Sequence, residues 1–172
     1  MVFAGRRARA TQDWLHFPVA GISRHDADAY AAWLRSTGRV PGARLCSELE
    51  WERAARGADD REMPHGDTLD PEDANFDETY AKDAASMGPD EVGSHPASRS
   101  PFGLDDMAGN VFEWTDSTIE PGGSVARGGA YFYDQMTARS TNRTTLEPNM
   151  RDPRLGMRLC ATAPSREGKG EE

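Results

Sequence analysis

Cysteine is nearly missing from this chain. Cys46 and Cys160 are the only two, and each stands alone. Neither has a second cysteine or a histidine at ligand spacing, which excludes a CxxC-type zinc site. Each sits at the edge of an apolar, strand-like run, so buried thiols are the simplest reading. A Cys46–Cys160 disulfide needs the two strands to be neighbours, and a reducing cytosol opposes it. Histidine is almost as sparse. His16, His25, His65 and His95 show no HxxxH or HxE grouping. His65 and His95 read as turn or surface residues rather than metal ligands. No apolar run is long enough to cross a bilayer. The basic stretch Arg6-Arg7-Ala8-Arg9 has no apolar segment after it, so no signal peptide is expected and the chain reads as cytoplasmic. Internal repeats are absent. So are the glycine loop and catalytic-loop motifs of a kinase.

Positive charge is in deficit as well, with 20 Lys and Arg against 29 Asp and Glu, a net charge of −9. A surface of that sign repels nucleic acid and anionic membrane, so neither is expected as a partner. Hydrophobic residues make up 37%, while Gly 17 and Pro 11 are plentiful. The balance predicts many turns around a modest core. The length carries one domain, and four Trp, four Tyr and six Phe supply its large pieces.

Two helices carry complete start signals. Ser23 with Asp26 three residues on forms a capping box, Ala27, Tyr30, Ala31 and Leu34 share one face with Trp33 at its flank, and Gly38 ends the helix. Ser47 with Glu50 opens the second, Trp51 is expected to pack across the first helix, and Gly57 stops it. Ala43–Cys46 reads as a short strand between them. From 58 to 100 the period is lost. That is long for a structureless loop, so a bound cation or packed aromatics should organise it. Glu120-Pro121-Gly122-Gly123 reads as a turn. Residues 124–133 then read as a strand broken by a glycine pair, 134–154 as a polar loop, and 155–160 as a closing strand. Residues 1–17 are an irregular lead, 18–162 the domain, and 163–172 a disordered tail.

The stretch Gly103–Trp114 reads as a tight turn feeding a buried strand. Gly109 and Asn110 tolerate positive φ, and Val111, Phe112 and Trp114 suit a pleated core segment. Asp105, Asp106 and Glu113 flank it. Oxygen donors converging there would suit a hard cation. Spacing alone favours a Gly-Asn turn with solvated acids.

Ordered motifs go further. They are Pro18-Val19, Ser23-Arg24-His25-Asp26-Ala27, Ala29–Leu34, Arg44–Gly57, Pro64-His65-Gly66-Asp67, Asp73-Ala74-Asn75-Phe76, Val92-Gly93-Ser94, Pro101–Trp114, Arg127–Tyr131, Ala138-Arg139-Ser140 and Gly156-Met157-Arg158. In this order they resemble the formylglycine-generating enzyme, or sulfatase-modifying factor, domain family over roughly residues 18–162. The dialect also looks like copies fused behind bacterial serine/threonine kinases. The resemblance implies an α+β fold, a variant of the C-type-lectin-like fold with two helices, small twisted antiparallel sheets and long loops. It implies structural Ca²⁺ held by Asp106 and Glu113 with the carbonyls of Gly109 and Val111. A second site would use Asn75, the carbonyl of Phe76 and Asp83, and here a solvated loop stays an equal reading.

The family's converting enzymes oxidise a sulfatase cysteine with O₂ and a copper ion held by two cysteines just after a Gly-Gly-Ser motif. Here Gly128–Met136 contains no cysteine, Ala130 stands for the serine, and Tyr133 falls near the first cysteine position. Thiolates select Cu(I), and tyrosine or glutamine cannot replace them. Copper and catalytic residues are therefore not expected. The family's usual N-terminal Gly-Gly-x-Phe-x-Met-Gly pattern is also absent, so the chain is a truncated copy or another polypeptide supplies that strand. The expected role is a binding or regulatory module that uses Tyr131, Tyr133, Arg139, Asn142 and Arg143 for a protein or small-molecule ligand. A solvated polar loop is the bland reading of the same residues. The alternative is an oxidoreductase related to the iron-dependent sulfoxide synthases, whose iron histidines lie on a separate helical domain.

Overall fold

A computed structural model describes residues 1–119 and 122–162. The expected tail and half of the turn at 120–123 lie outside the described residues. Both helices begin where their caps predict. In α1 (Arg24–Ser36) the Ser23 hydroxyl accepts from the Asp26 backbone N–H, and the Asp26 carboxylate accepts from the Ser23 N–H. In α2 (Glu48–Arg56) Ser47 and Glu50 exchange the same two bonds. Each box satisfies N–H groups that a helix start leaves open.

Six short strands form two sheets. β1 (Ala43–Leu45) pairs antiparallel with β6 (Leu159–Ala161). The larger sheet has the order β4-β3-β2-β5, with β2 at Phe112–Thr118, β3 at Ser124–Arg127, β4 at Arg143–Leu146 and β5 at Leu155–Met157. Its β2–β3 and β3–β4 pairs are antiparallel, whereas β2–β5 is parallel. The larger sheet is thus mixed, not purely antiparallel. The closing strand expected over 155–160 is two strands, split at Arg158, and each half completes a different sheet. The strand expected over 124–133 ends at Arg127, because Gly128 and Gly129 take φ of +97° and +75° and turn the chain out of the ladder. The polar loop of 134–154 contains β4, which sequence reading missed.

The main core joins Ala27 of α1 to Leu45, Phe112, Trp114, Ala126, Ala130 and Leu155. Tyr30 was placed on the buried face but is 44% exposed, and its ring lies 5.4 Å from that of the exposed Trp33. Only the small Ala27 and Ala31 let α1 approach closely enough to be covered. Trp51 does not pack across α1. It sits with Cys46, Ala55 and Met107, and its indole N–H donates to Glu113 at 2.6 Å.

The irregular lead packs into the molecule, and it supplies the organiser that the 58–100 region required. Arg6 is buried. Its guanidinium donates to the Ser86 carbonyl at 2.7 Å, the Gly88 carbonyl at 2.9 Å and Asp90 Oδ1 at 2.6 Å. Phe3 and Tyr80 stack on it at 3.6 and 3.8 Å. Asp90 also accepts from Gln12 at 2.6 Å and from the Tyr80 hydroxyl at 2.8 Å, and lies 2.7 Å from His95 Nε2. His95 is therefore a core residue, contrary to its reading as turn or surface. Its other ring nitrogen faces the Glu72 carbonyl at 3.0 Å. Burial alone would raise the Asp90 carboxyl. Bonds from His95, Tyr80 and Gln12 and the charge of Arg6 outweigh burial and hold it below its usual range. Burial pushes the Tyr80 phenol up to about 12, against the bond from Arg9 and with help from Asp90.

The two cysteines are not free buried thiols. Strand pairing puts Cys160 opposite Arg44, with Cys46 two residues further on, just past the end of β1, and the two are joined as a disulfide.

Candidate functional site

The turn between Asp106 and Glu113 closes on itself because of two residues. Gly109 has φ +73°, and a Cβ there would lie 2.3 Å from the Asn75 carbonyl oxygen, so only glycine fits. Asn110 follows at φ +64° and ties the turn inward: its Oδ1 accepts from the Asp90 N–H at 3.0 Å, and its Nδ2 donates to the Asp90 carbonyl at 3.1 Å. Asp106 itself sits at φ +55°.

Asp106, Gly109, Val111 and Glu113 line one small cavity of about 150 Å³, so the structure brings the four expected residues together. Asp106 is buried and accepts from the Gly93 N–H at 2.9 Å and the Ser98 hydroxyl at 3.4 Å. No described cationic side chain forms an ion pair with it. Burial pushes its carboxyl up, and the Gly93 bond only partly opposes that. A buried carboxylate without an ion-pair partner, in a cavity that Gly109 and Val111 also line, fits a hard cation. Glu113 differs. Arg158 donates to both its oxygens, at 2.9 and 2.7 Å, while Trp51 donates to one of them. Any cation in the cavity would share Glu113 with Arg158.

The second expected set is not gathered. Asn75 is buried with its Nδ2 on the Gly88 carbonyl at 2.9 Å and Asn110 Oδ1 at 3.3 Å, and its own Oδ1 has no partner. The Phe76 carbonyl accepts from the Thr79 N–H at 3.2 Å. Asp83 is exposed and bonded to Ser86 and Ala85, which hold its carboxyl low. No contact brings Asp83 to Asn75.

The five expected binding residues separate into three places. Tyr133, Asn142 and Arg143 line a cavity of about 440 Å³ beside β4. Tyr131 lines another, of about 740 Å³, with Trp14, Phe17 and Val19. Arg139 pairs with Glu62 at 3.0 Å, away from both. The first cavity has the more varied chemistry. Phe112 meets Tyr133 edge-on at 5.5 Å, and Arg154 lies 5.2 Å from the Tyr133 ring and 5.3 Å from Phe132. Arg154 is clamped to Asp152 by bonds of 2.7 and 2.6 Å, which raise its already high pKa. Glu48 and Glu52 of α2 pair with Arg127 of β3, and Glu48 also with Arg143 of β4. Sequence reading missed Phe112, Asp152 and Arg154 here. The Asp152-x-Arg154 spacing was a usable signal, since it permits a local carboxylate–guanidinium clamp.

Known proteins place this geometry. The family described as sulfatase-modifying factor enzyme 1-like domain matches residues 3–163, so the match includes most of the lead. The mouse protein named inactive C-alpha-formylglycine-generating enzyme 2 is 34% identical over 163 residues, covering 87% of this chain and 50% of that protein. Hercynine oxygenase of Mycobacterium tuberculosis is 34% identical over 168 residues, covering 83% and 36%. Serine/threonine-protein kinase pkn1 of Chlamydia caviae is 38% identical over 100 residues, covering 58% and 13%, which bears out the kinase-associated dialect. Among solved structures, Treponema denticola variable protein 1 shares the fold at a TM-score of 0.71 and 19% identity, covering 90% of this chain and 76% of that one. The chain thus spans half or less of the length of these three sequence relatives. From residues, fold and match together, the chain belongs to the sulfatase-modifying factor enzyme 1-like domain family.

Proposed function

We propose that this domain is a calcium-stabilised recognition module without formylglycine-generating activity. One observation carries the reading. The segment after Gly128-Gly129, where the family resemblance puts the copper-binding thiolates, carries Tyr133 and no cysteine, and the chain's two cysteines are bonded to each other elsewhere. Copper has no thiolate pair to hold it there. Tyr133 instead helps wall a cavity with aromatic, polar and charged surfaces, the mixture that small-molecule and side-chain pockets use. The test is direct. A cysteine-containing sulfatase peptide incubated with the protein, copper and reductant is expected to give no aldehyde by mass spectrometry. Aldehyde formed at a rate above that of the peptide alone would overturn the reading.

Calcium would supply the missing counter-charge at Asp106, with Gly109 and Val111 carbonyls beside it. Saturating Ca²⁺ at about a hundred times its Kd would add about 2.7 kcal/mol of stability. For a domain of this size that raises Tm by about 5–10 °C. Asp106→Asn is expected to remove the response. Equal melting in Ca²⁺ and in chelator would sink the calcium part alone.

A second reading rests on the similarity to hercynine oxygenase. An oxidoreductase of that kind would need iron ligands. Among the described residues no group of three His, Cys, Asp or Glu could hold a metal, and His95 is committed to Asp90 and Glu72. Stoichiometric iron after anaerobic loading, with oxygen uptake on a thiol substrate, would favour this reading over the first.

A further inference from the structure

Three oxygens of the short segment Ser86–Asp90 converge on one group. They are the Ser86 and Gly88 carbonyls and Asp90 Oδ1, and each accepts from a different nitrogen of the Arg6 guanidinium. A planar fork with donors at fixed angles matches acceptors placed this way, whereas a compact ammonium does not. Phe3 and Tyr80 stack on the guanidinium, which adds an attraction specific to a flat cation. Two glycines let the slot close. A Cβ on Gly88 would lie 2.6 Å from the Phe3 ring, and one on Gly5 would lie 2.2 Å from Ser86 Oγ. A cavity of about 360 Å³, with Gly5, Arg6, Glu72 and Tyr80 among its walls, opens beside the slot and gives a small ligand a way in.

Two of the residues expected to hold a second Ca²⁺ border this slot. Asn75 donates to the same Gly88 carbonyl as Arg6 does. Asp83 Oδ2 would lie 3.1 Å from a Cβ on Gly5, the neighbour of Arg6. The arrangement nevertheless does not fit the ion. Asp90 is the carboxylate paired with Arg6, and Arg9 also reaches it, at 3.5 Å. Two guanidinium groups thus face one carboxylate. Calcium sites gain affinity from the charge of their ligands, and here that charge is already neutralised. A divalent ion added at this place would meet two positive groups at close range.

We propose that Ser86–Asp90, with Phe3 and Tyr80, form a guanidinium-binding site, that Arg6 occupies it in cis, and that this occupant stands in place of a second Ca²⁺. The inference is independent of the Asp106 cavity. Its test uses the full chain carrying Arg6→Ala, which cuts the occupant back to Cβ and leaves room for an ethylguanidinium ion. Ethylguanidinium chloride at low, non-denaturing concentration is expected to raise the Tm of the variant saturably, by about 3–6 °C at about ten times its Kd. Wild type should not respond, because its slot is filled. Ethylurea has the shape without the charge, and ethylammonium the charge without the planar fork, so neither should shift the variant. If the variant is unfolded on isolation, the readout becomes the native circular-dichroism signal regained on adding each compound. An equal response to ethylurea or ethylammonium overturns the proposal, and so does no response to ethylguanidinium in either readout. Calcium counting by equilibrium dialysis gives a test on wild type itself. At most one ion per chain is expected, and two would overturn the replacement of a second Ca²⁺ by Arg6. No bound ion at all would refute the calcium reading of Asp106 and leave the guanidinium site standing.

Discussion

Arg6→Ala is expected to destabilise the domain by about 3–5 kcal/mol, the cost of stripping one partner from a fully buried ion pair. Both side chains of the Arg6–Asp90 pair are completely covered. Without the guanidinium, Asp90 keeps only Arg9, 3.5 Å away, as an arginine partner, the Ser86 carbonyl loses its side-chain donor, and the Gly88 carbonyl keeps only Asn75. Arg6→Lys should rescue little, because a single ammonium cannot reproduce a planar fork aimed at three acceptors between two rings. Acid titration adds a second readout. Asp90 is held below its unfolded value, so its contribution is complete above the ordinary carboxylate range and is lost as pH falls through the lowered folded value. Wild type should therefore lose stability steeply below about pH 4. Arg6→Ala should fall less steeply. Urea unfolding from pH 3 to 7 measures both. A loss under about 1 kcal/mol would show that the lead is a passenger rather than the organiser of residues 58–100.

Opening the Cys46–Cys160 bond is the other large effect. It closes a loop with a sequence separation of 114. Chain-entropy arguments assign about 4–5 kcal/mol to a loop of that size, although engineered bonds often deliver less. Cys46→Ala with Cys160→Ala, or reduction verified by thiol titration, should lower Tm by about 10 °C or more. An unchanged Tm with both thiols shown to be free would refute this. The experiment bears on the compartment as well. A reducing cytosol would keep these thiols apart, whereas a persistent bond belongs to an oxidising environment. The redox state of the cysteines on isolation therefore tests the cytoplasmic expectation.

What the sequence made legible was local chemistry. The two capping boxes depend on neighbours within four residues, the Gly109-Asn110 turn on two residue types that tolerate positive φ, and all form as read. Order of motifs then drew Asp106, Gly109, Val111 and Glu113 to one cavity. Legibility failed where a polar group was buried by a distant partner. Arg6 and Asp90 are 84 residues apart, so nothing near Arg6 distinguishes it from the exposed Arg7. His95 was misread for the same reason. β4 escaped because Arg-Thr-Thr-Leu is short and half-exposed, without the clean alternation that marks a strand with one face in the core. The split at Arg158 was invisible because Leu155–Cys160 is apolar on both sides of it. Of the binding surface, Tyr133, Asn142 and Arg143 meet, whereas Tyr131 and Arg139 point to other neighbours.

The division of the closing segment at Arg158 also sets an order of assembly. β5 and β6 are separated by one residue, and each finishes a different sheet. Until residue 157 has left the ribosome β2 lacks one neighbour, and until residue 161 has left it β1 has no described partner strand. The capped helices can form early, because their contacts are local. The parallel β2–β5 pair and the β1–β6 pair must wait for residues 155–161, and both then close within the same few residues. A chain stalled before Leu155 would display two unfinished sheet edges at once. That is the interval in which this domain is most exposed to mispairing with other nascent chains.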